Sequence, residues 1–489
     1  MGQEGKAKGI GLFGLVGLVV SSCIGSGVFA LTGQLANAAA PGSALIAWGV
    51  CGIGFLMLAL SLANLGAKRA DIDGIFVYAE EGFGKFSGFL SGWGYWLSAW
   101  LGNVGFATMV IQVLCGLAPD TFGDSTSPNV MVVILVSLIM WALTFLVING
   151  VESAAFLNAV VMAIKIVTIL IFIVFAAICF NAGIFTADFW GNVYNNAVAA
   201  GQSLPLGDDA VDLGSIPTQV TNCILVMMWV FIGIEGAAVM SARAKRKSDV
   251  GKATILGLVV LLVLYIGASI LPYGVMPYDQ LMALDKPATV GVFEYMAPGW
   301  GGTFISVAII ISVLGSWLSF TMLPAETSSL MSERHLLPES WNKMNKHNAP
   351  QMALIIVGAC TQVFLVLAMT AKDAYTFAIS MCTVTIVVTW AFAAAFQVKY
   401  SLANKQTGQA VVGILALLFQ VVGVMFTGWG FLLLACLGYV PGFFFYAKAR
   451  KEGGAEKGLT RNEGIACAVL TILGVISIPL TVVGIIPVF

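Results

Sequence analysis

Apolar residues fill this chain in long blocks separated by short polar stretches, and about twenty apolar residues is the length a helix needs to cross a bilayer. Thirteen such segments are predicted, at 10–38, 42–67, 86–115, 129–149, 154–180, 217–242, 252–274, 302–330, 351–371, 374–397, 408–426, 428–447 and 464–487. Short connections such as Ala40-Pro41-Gly42-Ser43 make antiparallel neighbours, and the charged stretch from Asp71 to Lys85 predicts a connecting helix on the cytoplasmic face. Two segments carry glycine breaks: Ser22-Cys23-Ile24-Gly25-Ser26-Gly27-Val28-Phe29 in the first, and Trp229-Val230-Phe231-Ile232-Gly233-Ile234-Glu235-Gly236 in the sixth. Open backbone is tolerated at membrane depth only where protein encloses it or a cavity receives it. The expectation is an all-α polytopic membrane protein with about 13 transmembrane helices, of which helices 1 and 6 are broken.

Lysine and arginine concentrate on the cytoplasmic side of membrane proteins. With the N-terminus inside, that side receives 20 of the 23 basic residues: Lys6, Lys8, Lys68, Arg69, Lys85, Arg243, Lys245, Arg246, Lys247, Lys252, Arg334, Lys343, Lys346, Lys399, Lys405, Lys448, Arg450, Lys451, Lys457 and Arg461. Lys286 and Lys372 fall outside, and Lys165 stays within a span. The outer loop from Asn181 to Pro217 carries Asp188, Asp208, Asp209 and Asp212 and no basic residue. A plasma or inner membrane location follows, with the N-terminus cytoplasmic and the C-terminus external. The two broken segments run in opposite directions, as an inverted five-helix repeat requires. Break position and parity thus predict residues 1–180 as a first repeat and 217–397 as its inverted counterpart, with 408–489 adding three helices as a scaffold or homodimer surface.

Composition agrees. With 59% apolar and 10% charged residues and a mean hydropathy of +0.96, the chain differs from water-soluble domains, where about a quarter of residues are charged. A net charge of −1, with basic residues scattered over short loops, excludes nucleic acid as a partner. The nine cysteines fall mostly inside apolar runs and lack the loop pairing of a disulfide framework. The first apolar stretch is too long for a cleavable leader. No HExxH, GxSxG or phosphate-cradling glycine loop occurs, and both histidines, His335 and His347, share one loop. Neither catalytic residues, a metal nor a cofactor is therefore expected, and membrane lipid and a small-molecule substrate are the partners.

Corresponding breaks in two halves of a polytopic chain point to a transporter's binding site. A helix restarting at Ser26 and Gly27 offers unpaired N–H groups and the positive end of its dipole to a carboxylate, although Gly25 and Gly27 would also serve close helix packing. Around Trp229 to Ile232, carbonyls released from the helix would accept from a protonated amine. Together these describe the backbone of an amino acid. Glu235, beside the second break, and Lys165, about 15 Å into the fifth segment at 1.5 Å per residue, are ionisable groups inside the membrane and candidates for coupling or gating. The alternatives are a protonated carboxyl bridging the unwound backbone for Glu235, and a structural tether for Lys165. Trp317 offers a face to a cationic side chain, against the commoner packing role of membrane tryptophans such as Trp96, Trp100, Trp141 and Trp390.

Over residues 8 to 400 the chain resembles the amino acid/polyamine/organocation superfamily, and within it the basic amino acid/polyamine antiporters that include arginine/agmatine and arginine/ornithine exchangers. The resemblance rests on Gly25-Ser26-Gly27-Val28-Phe29, on Tyr95-Trp96-Leu97-Ser98-Ala99-Trp100-Leu101-Gly102-Asn103, on Trp229 through Glu235, and on Ser316-Trp317 with the run Ala325 to Pro338. It implies the inverted-repeat (LeuT-like) transporter fold. It also implies that Ser26 and Gly27 bind the substrate carboxylate, that carbonyls of Cys23, Trp229 and Ile232 hold the α-amine, and that Trp229 and Trp317 cover the ligand. Tyr95, Ser98, Ala99, Asn103 and Ser380 would line the rest. Glu235 would sense protonation or relay a conformational change, and Lys165 would stand where relatives bind sodium. A thirteenth segment fits the arginine/ornithine type. The functions left open are arginine/ornithine exchange, exchange against a decarboxylation product (histidine/histamine, lysine/cadaverine, arginine/agmatine), and proton-coupled amino-acid symport through Lys165 or Glu235.

Overall fold

The computed structural model describes residues 11–486 apart from 70, 73, 126, 150–153, 237–244, 247, 348 and 370–372. The calls on Lys6, Lys8, Arg243, Lys247 and Lys372 lie outside the described residues. Fourteen helices carry the thirteen segments: α1 (Leu12–Cys23), α2 (Gly27–Ala38), α3 (Pro41–Lys68), α4 (Lys85–Leu117), α5 (Val130–Ile148), α6 (Ala154–Cys179), α7 (Ile216–Val230), α8 (Ser248–Ile270), α9 (Gly301–Glu333), α10 (Gln351–Ala368), α11 (Ala374–Ala403), α12 (Thr407–Thr427), α13 (Trp429–Glu452) and α14 (Arg461–Val482). Among the described residues, β-structure is confined to two isolated bridges.

Ten of these helices are long and apolar enough to span a membrane, and α1 with α2, bent by 51° at their break, make an eleventh. The remaining two expected spans fall on the shorter apolar helices α7 and α10. Helix α7 is short because it stops at the second break, and the segment beyond 236 lies outside the described residues. This is a multi-pass membrane protein.

Local chemistry sets the helix ends. Asn129 caps α5 by accepting from the amides of Met131 and Val132, Asp373 caps α11, and Thr460 and Glu463 form a reciprocal capping box on α14, each satisfying amides that a helix start leaves free. At the far end of α2, the hydroxyls of Tyr278 and Tyr273 donate to the carbonyls of Ala36 (2.6 Å) and Ala39 (2.8 Å).

Arg69, Arg334 and Lys399, three of the basic residues assigned to one side, meet at one end of the bundle. There the expected connecting helix forms, as Val77–Phe83. Arg334 reaches it from the end of α9, pairing with Glu80 at 2.5 Å, while Arg69 pairs with Asp71 at 2.8 Å and lies 3.7 Å from Glu81. Lys399 of α11 donates to the carbonyl of Gly82. Three long helices are thus tied to one short one.

Helix α4 is the pillar of the bundle, with 83% of its apolar window buried against 17% for the peripheral α14. It packs on α9 and α11; α1 packs on α8, and α7 on α3. In lipid these contacts rest on close packing of small residues, because there is no water to expel. Gly54 of α3 shows how close: a Cβ there would sit 2.3 Å from the ring of Phe419 on α12, whereas one at Gly49 on the same helix would touch nothing within 4 Å. Gly54→Ala should therefore lower the thermal unfolding midpoint in detergent, an overpacking cost of about 1–3 kcal/mol. Gly49→Ala should leave the midpoint level or raise it, because alanine is the better helix former.

Candidate functional site

The first break begins where Ile24 leaves the helix with ψ of 93°. Its amide still bonds Val20, and α2 restarts with Phe29 and Ala30 donating to the carbonyl of Ser26. At the second break the chain turns through 231–235, where Phe231, Ile232, Ile234 and Gly236 each bond three residues back. The carbonyls of Cys23 and Ile232 accept no hydrogen bond from a described residue outside the helices. That of Trp229 already accepts from Ile232, with one lone pair remaining.

The two breaks touch. Ser22 Oγ donates to the carbonyl of Gly233 at 2.8 Å, and Cys23 Sγ to that of Phe231 at 3.7 Å. Gly233 has φ of +108°, and a Cβ there would lie 2.7 Å from the Ser22 carbonyl carbon, so both conformation and space demand glycine. The indole of Trp229 lies over the restart of α2, where a Cβ on Gly27 would meet Nε1 at 2.8 Å. Its other edge borders Gly102 and Gly105 of α4 and the ring of Phe106 at 6.3 Å. Ser26 is fully buried and accepts from the Tyr375 hydroxyl at 3.2 Å.

Around this centre the structure sorts the remaining candidates. Ser98 and Cys382 share a contact of 3.1 Å between α4 and α11. Tyr95 and Ala99 are buried on α4. Asn103 has a task the sequence did not suggest: Pro324 inside α9 has no N–H for the carbonyl of Phe320 four residues back. Asn103 Nδ2 supplies the missing donor at 3.3 Å, leaving its Oδ1 buried without a partner among the described residues. The Trp317 ring is fully buried, with Nε1 likewise unpartnered. No ring contact joins it to Trp229 among the described residues.

Both buried charges hold the breaks in place. Lys165 Nζ donates to the carbonyl of Ile24 at 2.9 Å and to Ser316 Oγ, which itself donates to Ile24 at 3.1 Å. The Lys165 amine thus stands on neutral partners where α1 unwinds, joining α1, α6 and α9. Glu235 Oε2 accepts from the Gly233 amide and from Trp390 Nε1, both at 3.3 Å, bridging the second break to α11.

A cavity of about 430 Å³ opens at the end opposite the basic loops, among α2, α7 and α11. Of the candidate site residues Ser380 lines it, together with Tyr375, Gln34, Gln112, Lys286 and Asp373. Tyr375 therefore stands between this cavity and the first break. It and Asp373 escaped the sequence reading, because a tyrosine and an aspartate at the start of an apolar span carry no distinctive pattern. Burial alone would raise the Asp373 carboxyl, but the Lys286 ammonium and the donors of Thr376 outweigh it and hold the group below its usual range.

A model of the amino acid permease family matches residues 10–454. This chain belongs to that family. It is a family of transporters, not of enzymes. The arginine/ornithine antiporter of Latilactobacillus sakei is 47% identical over 99% of both chains. ArcD1, an arginine/ornithine antiporter of Lactococcus lactis subsp. cremoris, is 41% identical over 98% of this permease and 90% of its own length. An arginine/agmatine antiporter of Chlamydia abortus is 34% identical over 97% and 96%. The crystal structure of MhsT in complex with L-phenylalanine superposes with a TM-score of 0.55 at 12% identity, covering 89% of this chain and 100% of that one. The LeuT-like fold expected from the sequence is thereby established.

Asn103→Ala should strand the Phe320 carbonyl in the apolar core and lower stability by about 1–3 kcal/mol. Adding Pro324→Ala should recover most of the loss, since an alanine at that position provides the helical N–H. Thermal unfolding of both variants and the double variant closes the cycle.

Proposed function

We propose that this permease exchanges cationic amino acids, arginine inward against ornithine outward, by exposing one central site alternately to the two sides of the membrane. The carrying observation is the 47% identity to an arginine/ornithine antiporter over 99% of both chains, which extends through both helix breaks. In this reading the start of α2 at Ser26 and Gly27 receives the carboxylate, and the carbonyls of Cys23, Trp229 and Ile232 receive the α-ammonium. Trp229 and Trp317 cover the aliphatic and cationic part, and Tyr95, Ser98, Ala99, Asn103 and Ser380 line the remainder. Lys165 serves as a fixed cation where α1 unwinds, and Glu235 relays movement of the second break to Trp390 on α11.

Residues 1–180 and 217–397 act as two inverted halves. Their reciprocal packing, α1 on α8 and α7 on α3, supports this division. The peripheral α12–α14, residues 408–489, are the scaffold or dimer surface. The basic end faces the cytoplasm together with the N-terminus, and the 430 Å³ cavity faces outward with the C-terminus. A second reading, arginine against its decarboxylation product agmatine, draws on the relatives of that name at 34% identity. It differs in leaving the carboxylate site at α2 empty during the return half-cycle.

Liposomes containing the purified protein and preloaded with ornithine should take up external labelled arginine, and empty liposomes should not. Uptake into empty, potential-energised liposomes would overturn obligate exchange, and counterflow with agmatine in preference to ornithine would favour the second reading. Arginine and ornithine should each raise the thermal midpoint, by about 2.7 kcal/mol of stabilisation at a hundredfold excess over Kd.

A further inference from the structure

The central site leaves unexplained an ion pair in the wall of the cavity above it. Lys286 Nζ lies 2.5 Å from Asp373 Oδ2, and both residues line the cavity. The two partners are unequally held. Asp373 is the cap of α11, where its oxygens also accept from the Thr376 amide at 3.0 Å and hydroxyl at 2.9 Å, and its side chain is 26% exposed. Lys286 stands in the loop between the short helices Tyr278–Met282 and Ala288–Met296, with its side chain 51% exposed. The carboxylate is preorganised, and the ammonium stands on an exposed loop with Asp373 as its ion-pair partner. A cation entering through this cavity meets this carboxylate, because Asp373, with Thr376 and Ser380 three and seven residues further along one face of α11, borders the cavity.

We infer that Asp373 is a capture subsite for the cationic group of the transported amino acid or diamine, and that Lys286 is a built-in surrogate which occupies the carboxylate until substrate replaces it. A half-buried carboxylate left alone is costly, so a passage that trades one cation for another keeps it paired throughout. A guanidinium competes well for such a group because its planar fork matches both carboxylate oxygens. From Asp373 to Ser380 is about 10 Å along the helix at 1.5 Å per residue. Tyr375, which lines the same cavity, bonds Ser26, so a cation held in the cavity lies one side chain from the restart of α2. This inference rests on the reading that cationic amino acids are the substrates.

The test is the rate constant kcat/KM for external arginine in ornithine-loaded liposomes. Asp373→Asn keeps a good helix cap but removes the charge, and should lower kcat/KM about tenfold, as loss of a steering charge does. Lys286→Gln removes the competitor and should raise it about threefold, the scale of a partly exposed ion pair. The double variant should behave like Asp373→Asn, because the lysine then competes for nothing. A pair that only clamps the loop to α11 would give losses of the same sign for both single variants and recovery in the charge-swapped Lys286→Asp/Asp373→Lys protein; either result overturns the inference. An unchanged kcat/KM in Asp373→Asn, in protein whose thermal midpoint matches the parent, overturns it as well. If the parent protein itself fails to exchange arginine for ornithine, the functional reading falls and the capture site with it.

Discussion

The architecture depends on one constraint, that two helices open their backbones inside a bilayer and that each must be held open by the rest of the protein. The solution is mutual. Ser22, at the end of α1, takes the carbonyl of Gly233, and Cys23 takes that of Phe231. Gly233 lets the second chain pass within reach of the first, where a side chain would have no room. The two breaks are therefore bonded to each other directly, α1 to the turn that follows α7.

The buried charges belong to the same constraint. In hydrocarbon an ammonium or carboxylate needs partners, and unwound carbonyls and amides need donors and acceptors. Lys165 and Glu235 answer both needs at once, one standing on the Ile24 carbonyl and the other on the Gly233 amide. Each reaches a different part of the bundle, Lys165 from α6 to Ser316 on α9, and Glu235 to Trp390 on α11. In this geometry each group tethers an opened backbone to another helix.

The ends of the bundle differ. Ion pairs from Arg69 and Arg334 tie the basic end to the helix Val77–Phe83. The opposite end holds a cavity lined in part by Tyr375, which is hydrogen-bonded to Ser26. Asn103, one of the residues expected to line the site, shows that position alone does not assign a role. Its amide nitrogen is engaged by the carbonyl that Pro324 frees, and its oxygen is buried without a partner among the described residues.

Much of this was legible along the chain. Runs of about twenty apolar residues fix the spans because a bilayer has one thickness, and the glycine-rich breaks announce themselves because an open backbone in lipid has few explanations. Lys165 and Glu235 stood out for the same reason. What the chain could not reveal is pairing across distance. That Ser98 would meet Cys382, that Tyr375 would bond Ser26, and that Asp373 would face Lys286 depend on contacts between residues 284, 349 and 87 positions apart. Local pattern carries the energy of entering the membrane, residue by residue, and so it determines which segments cross. The choice of partners among segments already inside is made by packing and hydrogen bonding between helices, and only the tertiary structure records it.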